Sequence, residues 1–266
     1  MPNLAGVIHR LHIVLEALTR PSERLPIRAA DSTFYDADRV GDSGTIPLGN
    51  AAVFSLLEPL VGELDSDNET FPFEKLCRAA SNNKDSCEPD VGRLLYQLTR
   101  FTRPQKLIEV GVFVGAASCH LALAMHRNAN GAELHLVDVS SKCLETAGNN
   151  LRDFGLCDNV FFHCGHSADV AQTGNLPIAD LIFLDGDHRR ECVGRDLECY
   201  WNLVREGGFL ILHDSILWNG VRYYANQLTR ALPDSVFTFA TSGGSGISII
   251  RKPADFDFSQ FSAGTL

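Results

Sequence analysis

The stretch LIEVGVFVGAAS, residues 107–118, decides the fold class of this chain. A short apolar strand, Leu107–Val110, runs into a turn that contains Gly111 and Gly115, and helix-forming residues follow. The two glycines let the backbone turn sharply and approach a ligand without obstruction by a Cβ atom. The helix that follows presents free N–H groups to a carboxylate or a ribose hydroxyl. A glycine turn by itself can also be no more than the junction between a strand and a helix.

Phe113 separates this turn from the dinucleotide-binding pattern G-x-G-x-x-G. That pattern needs a second glycine at this position, where the pyrophosphate of the cofactor would pass. The bulky side chain therefore favours a ligand without a pyrophosphate, and it argues against a nicotinamide-dependent dehydrogenase.

Short apolar strands alternate with longer helical segments from Glu88 onward. The predicted strands are Leu107–Val110, Leu134–Asp138, Val160–Cys164, Leu181–Asp185, Phe209–His213, Val236–Ala240 and Ile247–Arg251. The predicted helices are Val91–Phe101, Ala117–Arg127, Lys142–Phe154, Ala168–Thr173, Glu191–Val204 and Val221–Ala231. Continuous apolar strands separated by helices indicate an α/β domain with a parallel sheet covered on both faces. The glycine-rich loop Ser242–Gly246 suits a hairpin, so one of the last two strands is expected to run antiparallel.

The N-terminal extension, residues 1–87, differs from the domain predicted over residues 88–266. It is irregular and rich in loop-forming residues, with one amphipathic helix predicted between Val7 and Leu18. The apolar stripe of that helix must cover the main domain, a substrate or a partner subunit. We therefore expect the extension to be a lid, a substrate wall or a dimer contact, which leaves a homodimer open.

Polar residues follow several predicted strands, at the edge where doubly wound sheets bind their ligands. Asp138 ends the second strand, 27 residues after Gly111, where a carboxylate can accept both ribose hydroxyls of an adenosyl group. It could instead cap the helix that begins after Ser140. After the third strand, His166 or Ser167 can meet the edge of an adenine, although Ser167 suits a capping role equally well.

Asp185 and Asp214 follow the fourth and fifth strands, and neighbouring strands lie about 5 Å apart. Two carboxylates that close repel each other unless a proton or a cation lies between them. Mg²⁺ or another divalent cation accepts such ligands and can lower the pKa of a bound substrate hydroxyl. Alternatively, Asp185 orients groups of the cofactor and Asp214 caps the next segment.

His188 lies three residues after Asp185, in the loop over the predicted reaction centre. A neutral imidazole titrates in the working pH range, so it suits the removal of a proton from an attacking hydroxyl. A histidine in a loop can also be merely solvated. His188 is therefore a candidate general base.

Charge and composition restrict the class of partner. The formal net charge of −10 and the pI near 5.3 argue against nucleic acids and anionic membranes, because both are polyanions. The eight cysteines include no C-x-x-C pair and no zinc-ligand cluster, which indicates reduced thiols in a reducing compartment. Charged residues interrupt the apolar N-terminus, and no stretch approaches the length of a membrane span. We expect a cytoplasmic protein that acts on a small molecule.

From Glu88 to Lys252 the chain resembles class I S-adenosylmethionine (SAM)-dependent methyltransferases. It is similar to the catechol and caffeoyl-CoA O-methyltransferase group, and to bacterial methyltransferases with the motifs D-G-x-H and H-D. The segments that carry the resemblance are EPDVGRLLYQLTRF, LIEVGVFVGAAS, LIFLDGDH, LVREGGFLILHDS and LWNG. The resemblance implies a doubly wound, Rossmann-like sheet of seven mostly parallel strands with a reversed last pair.

The resemblance also implies a set of site residues. Around SAM it places Glu109, Gly111, Gly115, Ser118 and Asp138, with Asp185 close to the transferred methyl group. In the metal-dependent relatives two Asp residues and an Asn hold the cation. Asp185 and Asp214 match the two Asp residues, whereas Ser215 replaces the Asn. Either His213 substitutes for that ligand or the metal is absent. The same relatives carry a Lys base where this chain has His188.

These observations predict an enzyme that transfers a methyl group from SAM to an oxygen of a hydroxylated small molecule or natural product. A divalent cation is expected to assist if it binds. Two alternatives stay open. One is the same fold with an altered chemistry, such as hydroxylation, cyclisation or elimination in a biosynthetic pathway. The other is a non-catalytic protein with a degenerate cofactor site.

Overall fold

The computed structural model describes residues 55–56, 86–256 and 258. Its strands are β1 Ser55–Leu56, β2 Lys106–Val110, β3 Glu133–Asp138, β4 Val160–Cys164, β5 Ala179–Leu184, β6 Val204–His213, β7 Val236–Ala240 and β8 Ile247–Arg251. Its helices are α1 Pro89–Thr102, α2 Ala116–Asn128, α3 Ser141–Asp153, α4 Ser167–Gln172, α5 Arg190–Trp201 and α6 Asn219–Ala231. The helix predicted between Val7 and Leu18 lies outside the described residues.

The strands form one sheet in the order β1-β7-β8-β6-β5-β2-β3-β4. Strand β8 runs antiparallel to β6 and β7, and the other neighbouring strands pair in parallel. This confirms the predicted doubly wound fold with a reversed strand near its end. The sheet has one strand more than the seven predicted, because Ser55–Leu56 of the N-terminal extension pairs with β7.

Strand β6 begins earlier than the predicted strand Phe209–His213. The preceding helix ends at Trp201, so Val204 belongs to β6 rather than to the predicted helix Glu191–Val204. Val204 pairs with Ala179, and the register between β5 and β6 shifts before Leu181 pairs with Phe209.

Helices cover both faces of the sheet at its central strands. Leu107, Leu134 and Phe183 pack on one face with apolar residues of α1, α2 and α3. Ile108 and Leu210 pack on the other face with residues of α5 and α6. Because helices cover the two faces, the carboxyl ends of the parallel strands are the edge left for a ligand. Of the helices described, none has the length and apolar character needed to cross a membrane.

At positions 111 and 115, close contacts within the protein leave no room for a Cβ atom and so require glycine. Both residues have a left-handed φ, of 82° and 81°. A Cβ atom on Gly111 would lie 1.9 Å from the carbonyl oxygen of Asp185, and one on Gly115 would lie 2.7 Å from the Cβ of Ala147. The first glycine therefore lets the ends of β2 and β5 approach each other, and the second lets α2 pack against α3.

We expect Gly111→Ala to lower the free energy of unfolding by more than about 3 kcal/mol, because the new Cβ atom would overlap backbone that cannot move aside. Gly131→Ala is the matched control, since Gly131 has a φ of 70° but open space around its Cβ position. The control should lose only about 1–2 kcal/mol, the penalty of the left-handed backbone alone. Urea denaturation measures both values, and equal losses would show that the contact with Asp185 does not matter.

Candidate active site

A cavity of about 870 Å³ opens at the carboxyl ends of the parallel strands. It is lined by most of the residues that the sequence singles out: Glu109, Gly111, Asp138, His166, Ser167, Asp185, His188, His213 and Asp214. Gly115, Ser118 and Ser215 lie outside its lining. The described structure thus brings nine of the twelve predicted site residues to one cavity.

Asp138 holds the glycine turn in place. One of its carboxylate oxygens accepts hydrogen bonds from the backbone N–H groups of Val112 (2.8 Å) and Phe113 (3.1 Å). The other oxygen accepts from the N–H of Ser140 at 2.8 Å. The cap of α3 is Ser140 itself, whose hydroxyl accepts from the N–H of Cys143. Asp138 therefore shapes the cavity wall beside the turn.

Glu109 is a buried carboxyl group that faces the cavity without a hydrogen-bond partner among the described residues. Burial raises its pKa to about 8, and the negative charge of Asp185 adds to the shift. Ser118 lies beside it and opposes the shift, but neither its hydroxyl nor the carboxyl oxygens meet the geometry of a hydrogen bond. Such a group is well placed to receive a cation from the cavity.

The two residues predicted to meet the adenine, His166 and Ser167, differ in their surroundings. The hydroxyl of Ser167 donates to the carboxylate of Asp196, whose pKa is raised to about 6 by burial. Ser167 therefore makes a tertiary hydrogen bond rather than a helix cap. His166 is exposed at the start of α4, and its side chain makes no capping hydrogen bond.

Asp185, His188 and Asp214 converge on the same cavity. The Nε2 atom of His188 lies 3.5 Å from Asp185 Oδ1 and 3.2 Å from Asp214 Oδ2. Asp214 has a left-handed φ of 58°, a strained conformation that is common at functional sites. Trp218 packs over the imidazole of His188, with ring centroids 4.9 Å apart. A histidine and two carboxylates from two loops, one after β5 and one after β6, thus share one small volume.

His213 lies behind this group, between two carboxylates. Its Nδ1–H donates to Asp185 at 2.9 Å and its Nε2–H donates to Glu88 at 2.8 Å. Burial alone would lower the pKa of His213. The negative charges of Asp185 and Asp214 and these hydrogen bonds instead raise it well above its usual value. His213 is therefore a buried imidazolium that bridges Glu88 and Asp185.

Glu88 is a functional residue that sequence reasoning did not select. Burial would raise its pKa, but the hydrogen bond and charge of His213 lower it to about 2, together with hydroxyls of Ser245 and Thr241. Glu88 stands at the boundary between the extension and the domain, directly before α1. An acidic residue directly before a helix usually indicates a helix cap. The sequence pattern alone therefore does not reveal that Glu88 forms hydrogen bonds to distant residues.

The structure does not make His213 and Ser215 available as the metal ligands that were predicted. Both ring nitrogens of His213 donate to carboxylates, so neither has a lone pair for a cation. The hydroxyl of Ser215 is buried away from the cavity. The side chain that joins Asp185 and Asp214 is instead His188, the predicted base.

Comparison with known proteins shows what this domain resembles. A family model described as a methyltransferase domain matches residues 108–215, from within β2 to just after β6. This part of the chain is therefore similar to a methyltransferase domain. The matched segment includes the glycine turn, Asp138, Asp185 and Asp214.

Plant proteins resemble the methyltransferase domain in sequence. Tricin synthase 2 of Oryza sativa subsp. japonica is 30% identical over 140 residues, which cover 51% of this chain and 46% of that protein. The alignment thus spans about half of the length of this relative. Caffeoyl-CoA O-methyltransferase 1 of Eucalyptus globulus is 25% identical over 192 residues, covering 61% of this chain and 73% of that protein.

Solved structures share the fold of the methyltransferase domain. An O-methyltransferase from Bacillus cereus in complex with SAH has a TM-score of 0.57 and 21% identity, covering 74% of this chain and 95% of that one. TomG from Streptomyces achromogenes, an O-methyltransferase in complex with SAM, has a TM-score of 0.56 and 18% identity, covering 68% and 89%. These structures share the doubly wound α/β fold of this chain, which is the fold that the resemblance carried by the motifs implies.

Proposed function

We propose that this protein transfers a methyl group from SAM to a hydroxyl oxygen of a small molecule. The observation that carries the proposal is Glu109, a buried carboxyl group without a partner on the wall of a cavity at the edge where this fold binds ligands. SAM carries an α-ammonium group, the kind of cation that such a carboxyl group lacks. A buried polar group without a partner is costly, so a bound cation would relieve that penalty.

The rest of the cofactor would occupy the same side of the cavity. Asp138 is the candidate acceptor for the ribose hydroxyls, and His166 and Ser167 line the wall expected to face the adenine. Asp138 still has acceptor capacity on the oxygen that accepts from Ser140, because a carboxylate oxygen can accept two hydrogen bonds and this one accepts a single bond from the protein. The glycine turn that Asp138 holds is the backbone that would approach the cofactor.

The chemistry belongs beside Asp185, in the part of the cavity that Asp185 shares with His188 and Asp214. Transfer forms a bond between the acceptor oxygen and the methyl carbon, and it breaks the bond between that carbon and the sulfonium sulfur. The protein must hold these atoms in line and remove the hydroxyl proton. Asp185, His188 and Asp214 are the groups that can accept the proton or stabilise the positive charge that it brings. They also suit a divalent cation, which when bound would lower the pKa of the hydroxyl.

The acceptor we propose is a hydroxylated small molecule. The cavity of about 870 Å³ is at the upper end of the usual size of small-molecule sites, so it can hold a cofactor and an acceptor together. Tricin synthase 2 and the caffeoyl-CoA O-methyltransferases are named for methylated or hydroxylated small molecules, which supports this choice over altered chemistry. A cytoplasmic location and a homodimer remain part of the proposal, and the free state of the seven described cysteines suits that location.

Methyl transfer should be measured by SAH formation with a panel of hydroxylated aromatic acceptors. We expect Asp185→Asn to lower kcat by about 100-fold or more, because proton transfer and charge stabilisation contribute effects of that size. The dissociation constant of SAM should change little. Asp153→Asn, at an exposed position at the end of α3, is the matched control and should keep full activity. No methyl transfer to any acceptor, or no binding of SAM, would contradict the proposed function.

A further inference from the structure

The orientation of the Asp185 carboxylate depends on one short hydrogen bond. The backbone N–H of Asp185 donates to the carbonyl oxygen of Val110 at 2.8 Å, so the end of β2 fixes the main chain at this position. The carboxylate accepts from the Nδ1–H of His213 at 2.9 Å, whereas the Nε2 atom of His188 lies 3.5 Å from the same oxygen. The shorter contact is the stronger and more directional of the two. The side chain of Asp185 therefore follows the position of the His213 ring.

Glu88 holds this ring from the other side. Its Oε2 atom accepts a hydrogen bond from the Nε2–H of His213 at 2.8 Å. The ring is buried, and the hydroxyl oxygen of Ser245 lies at a longer distance of 3.3 Å from the same nitrogen. Because both ring nitrogens are bonded, the ring cannot rotate without breaking a hydrogen bond. Loss of the Glu88 carboxylate would thus free the ring that orients Asp185.

The other carboxylate oxygen of Glu88 binds a different part of the chain. Oε1 accepts hydrogen bonds from the hydroxyls of Thr241 (2.8 Å) and Ser245, in the loop between β7 and β8. Asp90 binds the same loop, because it accepts from the backbone N–H (2.8 Å) and the hydroxyl (2.7 Å) of Ser242. Both acidic residues therefore hold the loop, but only Glu88 also bonds to the imidazole behind the reaction centre.

We propose that Glu88 is a positioning residue for methyl transfer, which acts through His213 to fix the orientation of the Asp185 carboxylate at the reaction centre. This rests on the proposed function, in which Asp185 accepts the proton or stabilises the charge that develops during transfer. A displacement of about 1 Å in a reacting group can lower a rate by about 100-fold. A residue that supports Asp185 from behind can therefore have a large effect on the rate without contact with the acceptor.

Steady-state kinetics with the acceptor that yields the most SAH tests the proposal. Glu88→Ala removes the partner of Nε2 and should lower kcat by about 10- to 100-fold, with little change in the dissociation constant of SAM. Glu88→Gln should keep kcat within about threefold of the wild type, because its amide can accept a hydrogen bond from Nε2 or donate one to it. Unchanged kcat in Glu88→Ala, or an equal loss in Glu88→Gln, would overturn the proposal.

Asp90→Ala is the matched control, because it removes two hydrogen bonds to the same loop and leaves Glu88 joined to His213. Its kcat should stay within about threefold of the wild type. A loss of kcat as large as that of Glu88→Ala would mean that the loop explains the effect, and it would overturn the proposal. If Glu88→Ala is unfolded by circular dichroism, Glu88→Asp replaces it under the same criteria, since its shorter side chain withdraws the carboxylate from Nε2.

Crystal structures of the wild type and of the folded position-88 variant separate this proposal from the proposed function. We expect the ring of His213 and the carboxylate of Asp185 to change orientation in the variant. Identical positions of both side chains would overturn the proposal, whether or not the protein transfers methyl groups. A wild-type protein that methylates no acceptor would remove the proposed function, and the two structures would still decide whether Glu88 orients Asp185.

Discussion

Replacing His213 with alanine is expected to lower the free energy of unfolding by roughly 3–5 kcal/mol at neutral pH. The imidazolium is buried between Glu88 and Asp185 and donates a hydrogen bond to each. Removing it leaves two buried carboxylates without their shared counter-charge, and breaking a buried ion pair from one side has an effect of this size. Urea denaturation in buffer treated with a chelator measures the loss.

The pH dependence identifies the source of that stability. The pKa of Glu88 is lowered to about 2, so its contribution is present above about pH 4.5 and is lost as the pH falls toward 2. The pKa of His213 is raised, so its contribution is present below about pH 6.5 and is lost as the pH rises through the folded-state value. The difference between wild type and His213→Ala should therefore be greatest between about pH 4.5 and 6.5.

His166→Ala is the control for the loss of an imidazole, because His166 is exposed and forms no cap. It should change the free energy of unfolding by less than about 0.5 kcal/mol. If His213→Ala were no less stable than this control, His213 would not be holding the two carboxylates together.

The second large effect concerns Glu109. We expect Glu109→Gln to weaken SAM binding by about 10- to 100-fold, because a hydrogen bond to a charged group contributes about 1.5–3 kcal/mol. With a pKa of about 8, the wild-type carboxyl group is mostly protonated at pH 7. The α-ammonium group of SAM would lower that pKa, so binding should release close to one proton.

Calorimetry at pH 7 in buffers of different ionisation enthalpy counts the released protons. At pH 9 Glu109 is already ionised and the α-amino group of free SAM is largely neutral, so proton uptake should replace release. The release at pH 7 should be absent from Glu109→Gln. Glu145→Gln, at an exposed position of α3, should behave as the wild type. Proton release that is the same in Glu109→Gln and wild type would show that another group accepts the ammonium.

Glu109 also makes an opposite contribution to stability. Its pKa is raised in the folded state, so folding keeps a proton that the unfolded chain loses above about pH 4.5. Stability without cofactor should therefore fall as the pH rises from about 4.5 to 8. Glu109→Gln should be a few kcal/mol more stable than wild type at pH 8 and nearly equal to it at pH 4.5.

Local patterns in the sequence predict the sheet well. The apolar strands are short, bounded by polar or glycine residues and separated by segments of helical periodicity, and these features do not depend on distant residues. Asp138, Asp185 and Asp214 could be selected because each follows a strand, and parallel strands end at one edge of a sheet. The start of β6 at Val204 was missed because the register shift beside Ala179 depends on the neighbouring strand.

The roles of Glu88, His213 and Ser167 could not be read from local patterns. Glu88 lies 125 residues from His213 along the chain, and Ser167 lies 29 residues from Asp196. A histidine that donates to two carboxylates can be told from a metal ligand only when the positions of both carboxylates are known. Folding therefore decides which carboxylates each of the two histidines, His188 and His213, contacts.

Hydrogen bonds between the two ends of the domain, here called the clasp, determine the shortest fragment of the chain that keeps the candidate site intact. Glu88 and Asp90 at its start hold Thr241, Ser242 and Ser245 in the hairpin at its end. The segment 108–215, which the methyltransferase profile covers, contains neither side of this clasp. An excised fragment of that extent would keep Asp185 and His213 but expose the imidazolium to solvent. A fragment that keeps the candidate site intact must therefore extend in both directions, at least from Glu88 to the last strand of the sheet.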